Sequence, residues 1–211
     1  MGYVVSFIAQ KGGVGKSTLA RALAREASAG GWSVRVADLD TQQGTVADWH
    51  RVRQDNGYDA IGSVEVIGKA ATAFKHADNY DLLVLDAGAR ASAATAELAQ
   101  ASDLAVLPTC ASRDDLMPAI RLANELTKAG IPRKRLAFAL TRVTTEAEIR
   151  EAREFITDEA GYTVLDGCMY EKPAYRQAQN EGLAVTETRY QGLNKKAAIL
   201  IQSLIDKIAQ S

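Results

Sequence analysis

Short, mostly apolar runs alternate along this chain with segments whose apolar residues recur every three or four positions. Five of these runs, each four to six residues long, occupy positions 4–8, 34–39, 82–85, 104–107 and 136–140. Runs of this length are typical of strands buried on both faces, as in a parallel sheet covered by helices. Alternating strand and helix patterns indicate an α/β fold. We therefore predict a doubly wound, mostly parallel sheet with helices on both faces.

The intervening segments carry the helical spacing. The first predicted helix begins at about Lys16 and places Leu19, Leu23 and Ala27 on one face. Segment 55–80 has the least regular pattern, so its elements are not assigned. Further helices are predicted through Val46 and Trp49, around 93–101, through Leu116, Ile120, Ala123 and Leu126, and through Ile149 and Phe155.

The length and composition fit one folded unit. The chain has 211 residues, of which 47% are hydrophobic. A chain of this size buries roughly 70% of its unfolded surface, which supplies a continuous core. We expect a single domain over residues 1–211.

Several classes of protein are disfavoured by composition. The net charge of −1 creates no global field toward nucleic acid or acidic lipid. Cys110 and Cys168 are far apart and belong to no CxxC motif, so a disulfide framework or zinc site is not expected, and a reducing cytoplasm fits. The first apolar run lacks a preceding basic region and is interpreted as a buried strand, not a signal peptide. No run reaches the roughly 18 apolar residues that span a bilayer.

The glycine-rich segment Gln10–Thr18, with the sequence QKGGVGKST, lies where the first strand ends and the first helix begins. Glycines allow backbone N–H groups to converge on phosphate oxygens, and the helix N-terminus adds a favourable dipole. Lys16 is placed to reach the β- and γ-phosphates, and the Ser17 hydroxyl to ligate Mg²⁺. Gln10 stands where the strict G-x-x-x-x-G-K-[ST] pattern has a glycine. The predicted nucleotide-binding residues are Lys11, Gly12, Gly13, Val14, Gly15, Lys16, Ser17 and Thr18.

Carboxylates follow two of the predicted strands. Asp86 ends one strand, and Asp38 and Asp40 follow another. A carboxylate at the C-terminal end of a central strand lies at the rim where α/β folds bind ligands. Asp86 is therefore a candidate Mg²⁺ ligand, directly or through a water, and Ala87–Ala89 after it a candidate mobile switch near the γ-phosphate. For Asp38, a role in a helix N-terminal turn and a role near the metal are both open.

The loop resembles the deviant Walker A box, KGGxGK[ST], of the ParA/MinD family of ATPases. The resemblance implies that the chain binds ATP with Mg²⁺ and hydrolyses it. In that family the lysine matching Lys11 reaches the nucleotide of the opposing subunit in an ATP-bound homodimer. Such a lysine acts like an arginine finger: it neutralises charge that develops on the transferred phosphoryl group and can raise the rate of hydrolysis roughly 10³–10⁵-fold. Lys11 and Lys16 are therefore candidate catalytic residues.

Other segments are similar to the same family. Asp38–Gln42 resembles its DxDPQ motif, with Thr41 in place of proline, which implies that Asp40 orients or activates the attacking water on a less restrained loop. Leu140–Arg142 lies where relatives often have an asparagine that recognises the base, so a preference for adenine rests on the resemblance alone. Two weaker similarities are Pro108, Ser112, Asp115 and Leu116 of a dimer-face segment, and Tyr175, Ala178, Gly182, Val185 and Glu187 of a C-terminal segment.

The family divides by cargo, and three interpretations remain open. The chain resembles most the short ParA partition ATPases, whose ATP-bound dimers bind bulk DNA and are stimulated by a centromere-binding partner. There are two alternatives: a MinD-like ATPase at a membrane surface, and an ATPase that positions another cytoplasmic cargo. The chain starts at its first strand, which leaves no room for a helix-turn-helix ahead of it. Two distant cysteines disfavour an iron-protein or arsenite-pump role, and Asp40 disfavours a scaffold that never hydrolyses ATP.

The C-terminal segment bears on the membrane alternative. Its polar side carries Gln202, Ser203 and Asp206, and its apolar edge has no aromatic residue. A typical membrane-surface helix instead has a Lys/Arg-rich polar face and Trp or Phe at its apolar edge. We predict a core-packed terminal helix and no membrane partner. Its apolar stripe consists of Leu193, Ala197, Leu200, Ile201, Leu204, Ile205 and Ile208.

Candidate DNA contacts lie in the last third of the chain. After residue 130 there are twelve basic and eleven acidic residues, so any basic patch is weak. Doubled in a dimer, it could still give non-specific DNA affinity of about 10⁻⁴–10⁻⁶ M. We expect a cytoplasmic, nucleoid-associated partition ATPase. The candidate DNA-binding residues are Lys172, Arg176, Arg189, Lys195 and Lys196, with the run 133–135 beside them.

Overall fold

The structure, a computed structural model, describes residues 2–75, 77–88 and 93–210, and within them eight strands form one sheet. The strand order is β3-β2-β4-β1-β5-β6-β7, with β8 paired to β6, and every pairing is parallel. The strands are β1 (Tyr3–Phe7), β2 (Val34–Asp38), β3 (Ser63–Val66), β4 (Leu82–Asp86), β5 (Leu104–Thr109), β6 (Leu136–Val143), β7 (Thr163–Val164) and β8 (Met169–Tyr170).

Helices connect the strands and cover both faces of the sheet. They are α1 (Lys16–Ala29), α2 (Thr45–Asp55), α3 (Ala70–Phe74), α4 (Ala93–Ala101), α5 (Arg113–Lys128), α6 (Glu146–Glu154), α7 (Pro173–Asn180) and α8 (Gln191–Ala209). Alternate residues of each central strand point to opposite faces, so Val5 and Phe7 pack in one apolar core with α1, α2 and α8. Val4 and Ile8 pack in the other, with α4, α5 and α6. The doubly wound, parallel fold predicted from the sequence is confirmed.

The predicted elements match the observed ones closely. All five apolar runs are strands, and the first helix starts at Lys16 as expected. The unassigned segment 55–80 contains β3 and α3. One helix boundary was wrong: α6 ends at Glu154, and Phe155–Glu159 form a π-helical turn instead of continuing the α-helix.

The terminal helix α8 packs against the sheet as predicted. Leu200, Leu204 and Ile208 are almost completely buried in the same core as β1 and β4. Burial of this stripe removes the apolar surface that a membrane-bound helix would need. In the parts of the chain that the structure describes, no helix is long and apolar enough to cross a bilayer.

The sheet positions the candidate site at its carboxyl edge. The register pairs Phe7 of β1 and Asp38 of β2 with Asp86 of β4, so the three strands end at the same level. The loop after β1 and the two carboxylates therefore meet where α/β sheets bind their ligands.

Candidate functional site

A cavity of about 510 Å³ opens at this edge, within the range of sites that hold small molecules. One side, which we call the loop wall, is formed by Gly12, Gly13, Gly15, Lys16, Ser17 and Thr18. Asp40 and Asp86 line the base of the cavity. A second group of lining residues, which we call the far wall, consists of Arg142, Met169, Tyr170, Glu171, Lys172, Tyr175, Arg176 and Gln179.

The loop wall has the backbone of an anion site. Gly13 and Gly15 have φ of 75° and 93°, a region that side chains disfavour. Gly15 is the N-cap of α1, and no side chain caps the helix. The first N–H groups of α1 therefore lack a side-chain acceptor, which suits them to phosphate oxygens.

The carbonyl groups of the loop are held by β6. The Thr141 hydroxyl donates to the carbonyl oxygen of Val14 (2.8 Å), and the Arg142 guanidinium donates to that of Gly13 (3.2 Å). Thr141 is fully buried, whereas Arg142 lies at the rim with a φ of 53°. A bulky residue with positive φ is strained and often marks a functional region.

Lys16 and Asp86 form the charged base of the cavity. Lys16 is 7% exposed, and burial lowers its pKa against the attraction of Asp86 and Asp40. Asp86 is 1% exposed, and burial raises its pKa to about 7, opposed by the Ser17 hydroxyl. The Oδ1 atom of Asp86 is buried without a hydrogen-bond partner.

This arrangement fits a magnesium ion bound with a nucleotide. A buried carboxylate oxygen without a hydrogen-bond partner requires a donor or a cation. The Ser17 hydroxyl interacts with the same carboxylate, so both groups are available to one ion. Among the described residues no cluster of three or more His, Cys, Asp or Glu forms a metal cage. Mg²⁺ commonly binds through one or two protein ligands together with substrate phosphates, so Asp86 and Ser17 suffice.

The two carboxylates at the end of β2, Asp38 and Asp40, have different partners. The Oδ2 atom of Asp38 accepts the N–H groups of Val46 (2.8 Å) and Ala47 (3.4 Å), so Asp38 serves the first turn of α2. Of the two roles left open for Asp38, the structure shows the helix N-terminal one. The Oδ1 atom of Asp40 accepts the N–H groups of Gln42 and Gln43, which leaves Oδ2, near Gly88, for another partner. Ala89, the end of the predicted switch, lies outside the described residues.

The Lys11 side chain contacts α5 and not the cavity. Its Nζ donates to the Asp114 carbonyl oxygen (2.6 Å) and to Asp115 Oδ1 (2.9 Å), at the start of α5. It does not line the cavity that Lys16 and Ser17 line. Val14 is also outside that lining, with a side chain that is 5% exposed. No pattern in the sequence predicts the contact of Asp115 with Lys11.

The candidate DNA contacts fall into two groups. Lys172 and Arg176 line the far wall, and Arg176 lies 4.0 Å from Glu171. Arg189 and Lys196 lie over the rings of Tyr190 and Tyr170, and Lys195 is exposed beside them on α8. In the basic run 133–135, Arg133 donates to the carbonyl oxygens of Ala160 and Gly161, so its guanidinium holds the chain before β7.

Several residues that link the site to the rest of the fold were not predicted from the sequence. Arg53 is buried and donates to Glu187, while Gly182 lies so close to Arg53 that a Cβ would meet its backbone at 2.4 Å. These contacts explain the spacing of Gly182 and Glu187 in the C-terminal segment. The hydrogen bond from Arg21 to Gln179 joins α1 to α7. The only sign of this in the sequence is a basic residue one helical turn after Ser17.

Comparisons with known proteins bear on this geometry. The CobQ/CobB/MinD/ParA nucleotide binding domain matches residues 5–185. The septum site-determining protein MinD of Pyrococcus horikoshii, solved with Mg-ADP, is 18% identical over 99% of this chain and 98% of that chain, with a TM-score of 0.78. A putative plasmid partition protein of Borrelia burgdorferi bound to AMPPNP is 16% identical over 98% and 100%, with a TM-score of 0.74.

A third solved structure is a variant of McdA from Cyanothece in complex with ATP, 16% identical over 96% of both chains with a TM-score of 0.71. Because the identities are only 16–18%, these similarities show a shared fold and nothing more specific. No curated protein sequence matches the chain significantly.

Proposed function

The chain belongs to the CobQ/CobB/MinD/ParA nucleotide-binding family, and on that premise we propose that it binds Mg-ATP in the cavity and hydrolyses it. One observation carries the proposal: the buried, unpartnered Oδ1 atom of Asp86 lies in the same cavity as Lys16 and the uncapped start of α1. Together these groups supply a metal ligand, a cation and N–H donors for a triphosphate.

Each residue of the site has a role in this reaction. Lys16 and the N–H groups of the loop bind the phosphates, and Asp86 with the Ser17 hydroxyl would hold Mg²⁺. When bound, Mg²⁺ neutralises charge on the phosphate oxygens. Asp40 accepts a hydrogen bond from the attacking water through Oδ2, because its Oδ1 is engaged by the turn.

Asp40→Ala tests the hydrolysis step. We expect ATP affinity to stay within a few-fold of wild type and kcat to fall about 10²–10⁴-fold, the usual contribution of a general base. Asp48→Ala, at an exposed carboxylate on α2, is the matched control. Turnover near wild type in the Asp40 variant would show that another group positions the water.

We also propose an ATP-dependent homodimer in which Lys11 contacts the nucleotide of the second subunit. In the protomer Lys11 is paired with Asp115, but its side chain is 44% exposed. An exposed ion pair contributes only about 0–1 kcal/mol, so a triphosphate can displace it. The γ-phosphate then joins two subunits, whereas ADP lacks that charge.

Light scattering on wild type and Lys11→Ala, with ATP, ADP and no nucleotide, tests the dimer. We expect ATP alone to dimerise the wild type, and Lys11→Ala to remain a monomer that binds ATP but hydrolyses it slowly. Lys128→Ala, at an exposed lysine on α5, should behave as wild type. A wild type that stays monomeric with ATP at about 50 μM, within the range of weak DNA affinity, would contradict the dimer.

For the cargo, we propose non-specific DNA and plasmid or chromosome partition, with a centromere-binding partner that stimulates hydrolysis. The basic residues Lys172 and Arg176 line the far wall, and Lys195 and Lys196 are exposed on α8. The buried apolar stripe of α8 disfavours the MinD-like alternative at a membrane. The alternative is an ATPase that positions another cytoplasmic cargo.

DNA binding is measured with ATP and with ADP over a range of salt concentrations. The double variant Lys195→Glu and Lys196→Glu should weaken ATP-dependent DNA binding and flatten its salt dependence. The double variant Arg121→Glu and Lys128→Glu, at two exposed positions of α5, makes the same change in net charge and is the control. Equal binding by all three proteins would remove this surface from the proposal.

A further inference from the structure

Arg21 lies on α1, one helical turn after Ser17, and its guanidinium joins three elements. Nη2 donates to the Thr45 carbonyl oxygen at the start of α2 (2.5 Å), and Nη1 donates to Gln179 Oε1 on α7 (3.0 Å). The group also lies 5.6 Å from the centre of the Trp49 ring. Arg21 thus bridges the phosphate-loop helix, the helix after the Asp40 turn, and the far wall.

Two more hydrogen bonds, together with the peptide bond between Ser17 and Thr18, close this arrangement into a ring. The Thr45 hydroxyl donates to the Ser17 hydroxyl (3.2 Å), and the Thr18 hydroxyl donates to Gln179 Oε1 (3.1 Å). Gln179 therefore accepts from both Thr18 and Arg21. All four other members of the ring, Ser17, Thr18, Thr45 and Gln179, line the nucleotide cavity.

Folding stability alone is a poor explanation for this cation. Both of its direct acceptors are uncharged, and its Nε is buried without a partner. Burial lowers the pKa of Arg21, against the attraction of Asp86 and Asp38. Removing a charge from water without a close ion pair costs free energy. Arg25, one turn further along α1, instead pairs directly with Glu26 and Glu187.

The position of Thr45 suggests what Arg21 does. Gly44, just before it, has a φ of 55° and donates its N–H to the Asp40 carbonyl oxygen (2.7 Å). Arg21 therefore anchors the residue that follows the Asp40 turn, while Asp38 holds the first turn of α2. A turn fixed at both ends presents the Asp40 carboxylate in one orientation.

We infer that Arg21 is a positioning residue, which through Thr45 and Gln179 holds the Asp40 turn against the loop wall and couples it to α7. The inference rests on the proposed ATPase function for its catalytic consequence. Its structural part, the anchoring of the turn, applies to the nucleotide-free chain as well.

Arg21→Lys keeps the charge but loses the planar fork, and Gln179→Leu removes one acceptor and leaves the charge. In both variants amide hydrogen exchange of residues 40–46 should rise about tenfold in the nucleotide-free protein, the effect of losing about one charge-assisted hydrogen bond. The kcat should fall about tenfold, while the Kd for ATP changes less than about threefold because Lys16 is intact. Arg51→Lys, at a 68% exposed arginine on α2, should match wild type in all three measurements.

Exchange of residues 40–46 and kcat both equal to wild type in Arg21→Lys and Gln179→Leu would overturn the inference. A weakened Kd with unchanged exchange would also overturn it, because Arg21 would then act in binding and not in positioning. If wild type neither binds nor hydrolyses ATP, the proposed function fails, yet the exchange experiment still decides whether Arg21 anchors the turn.

Discussion

The two walls of the cavity acquire their geometry in different ways. The loop wall is one continuous segment whose shape comes from the positive φ angles of Gly13 and Gly15 and from the start of α1. The far wall is assembled from β6, β8 and α7, and the contact of Arg142 with Glu171 spans 29 positions of the chain. Local backbone chemistry therefore sets the geometry of the loop wall, whereas tertiary packing sets that of the far wall.

The largest expected effect is at the loop wall. Lys16→Ala removes the cation that reaches the phosphates, and several charge-assisted hydrogen bonds worth about 1.5–3 kcal/mol each are lost with it. We expect ATP binding to fall below detection in calorimetry, while Lys128→Ala binds normally. Undiminished ATP affinity in the Lys16 variant would mean that the loop wall is not the phosphate site.

An intermediate effect is expected at Thr141 of β6, which supports the loop from behind the cavity lining. Thr141→Val keeps the shape of the side chain but leaves the Val14 carbonyl oxygen without its donor. An unsatisfied buried acceptor costs about 1–3 kcal/mol, so we expect lower thermal stability and ATP affinity reduced about tenfold. Thr157→Val, at an exposed hydroxyl, is the control. A Thr141 variant with wild-type stability and affinity would show that β6 does not support the loop.

The smallest effect is expected at the far wall. Arg142→Asn suits the positive φ at this position and removes the contacts with Gly13 and Glu171. Because the Arg142 side chain is 52% exposed, its ion pair contributes about 0–1 kcal/mol. ATP affinity should change only a few-fold in a competition assay. A loss as large as that of Lys16→Ala would erase the distinction between the walls.

The same contrast separates what the sequence could predict from what it could not. The strands, the first helix and the place of the phosphate loop follow from local patterns of apolar residues and glycines. The ion pair of Lys11 with Asp115 depends on where α5 begins relative to the loop, which no local pattern encodes. The role of Asp38 likewise required the path of the chain through Gly44 into α2.

Arg21 illustrates the limit most clearly. On the sequence it is one of many basic residues, and its position a turn after Ser17 is the only hint of a role. Its partners Thr45 and Gln179 are 24 and 158 positions away, so the ring exists only in the folded chain. The residues that we propose to bind phosphate could thus be predicted from the sequence, whereas the residues that hold them in place could not.

Calorimetric titration of the wild-type chain with ATP and with adenosine, each with Mg²⁺, tests the central claim most directly. Adenosine can use only contacts outside the phosphate site, whereas ATP also engages Lys16 and the loop. We expect one ATP per chain, bound at least about a hundredfold more tightly than adenosine, since two charge-assisted hydrogen bonds already supply that difference. Adenosine binding as tightly as ATP, or no saturable ATP binding, would contradict the assignment of the loop wall as the phosphate site.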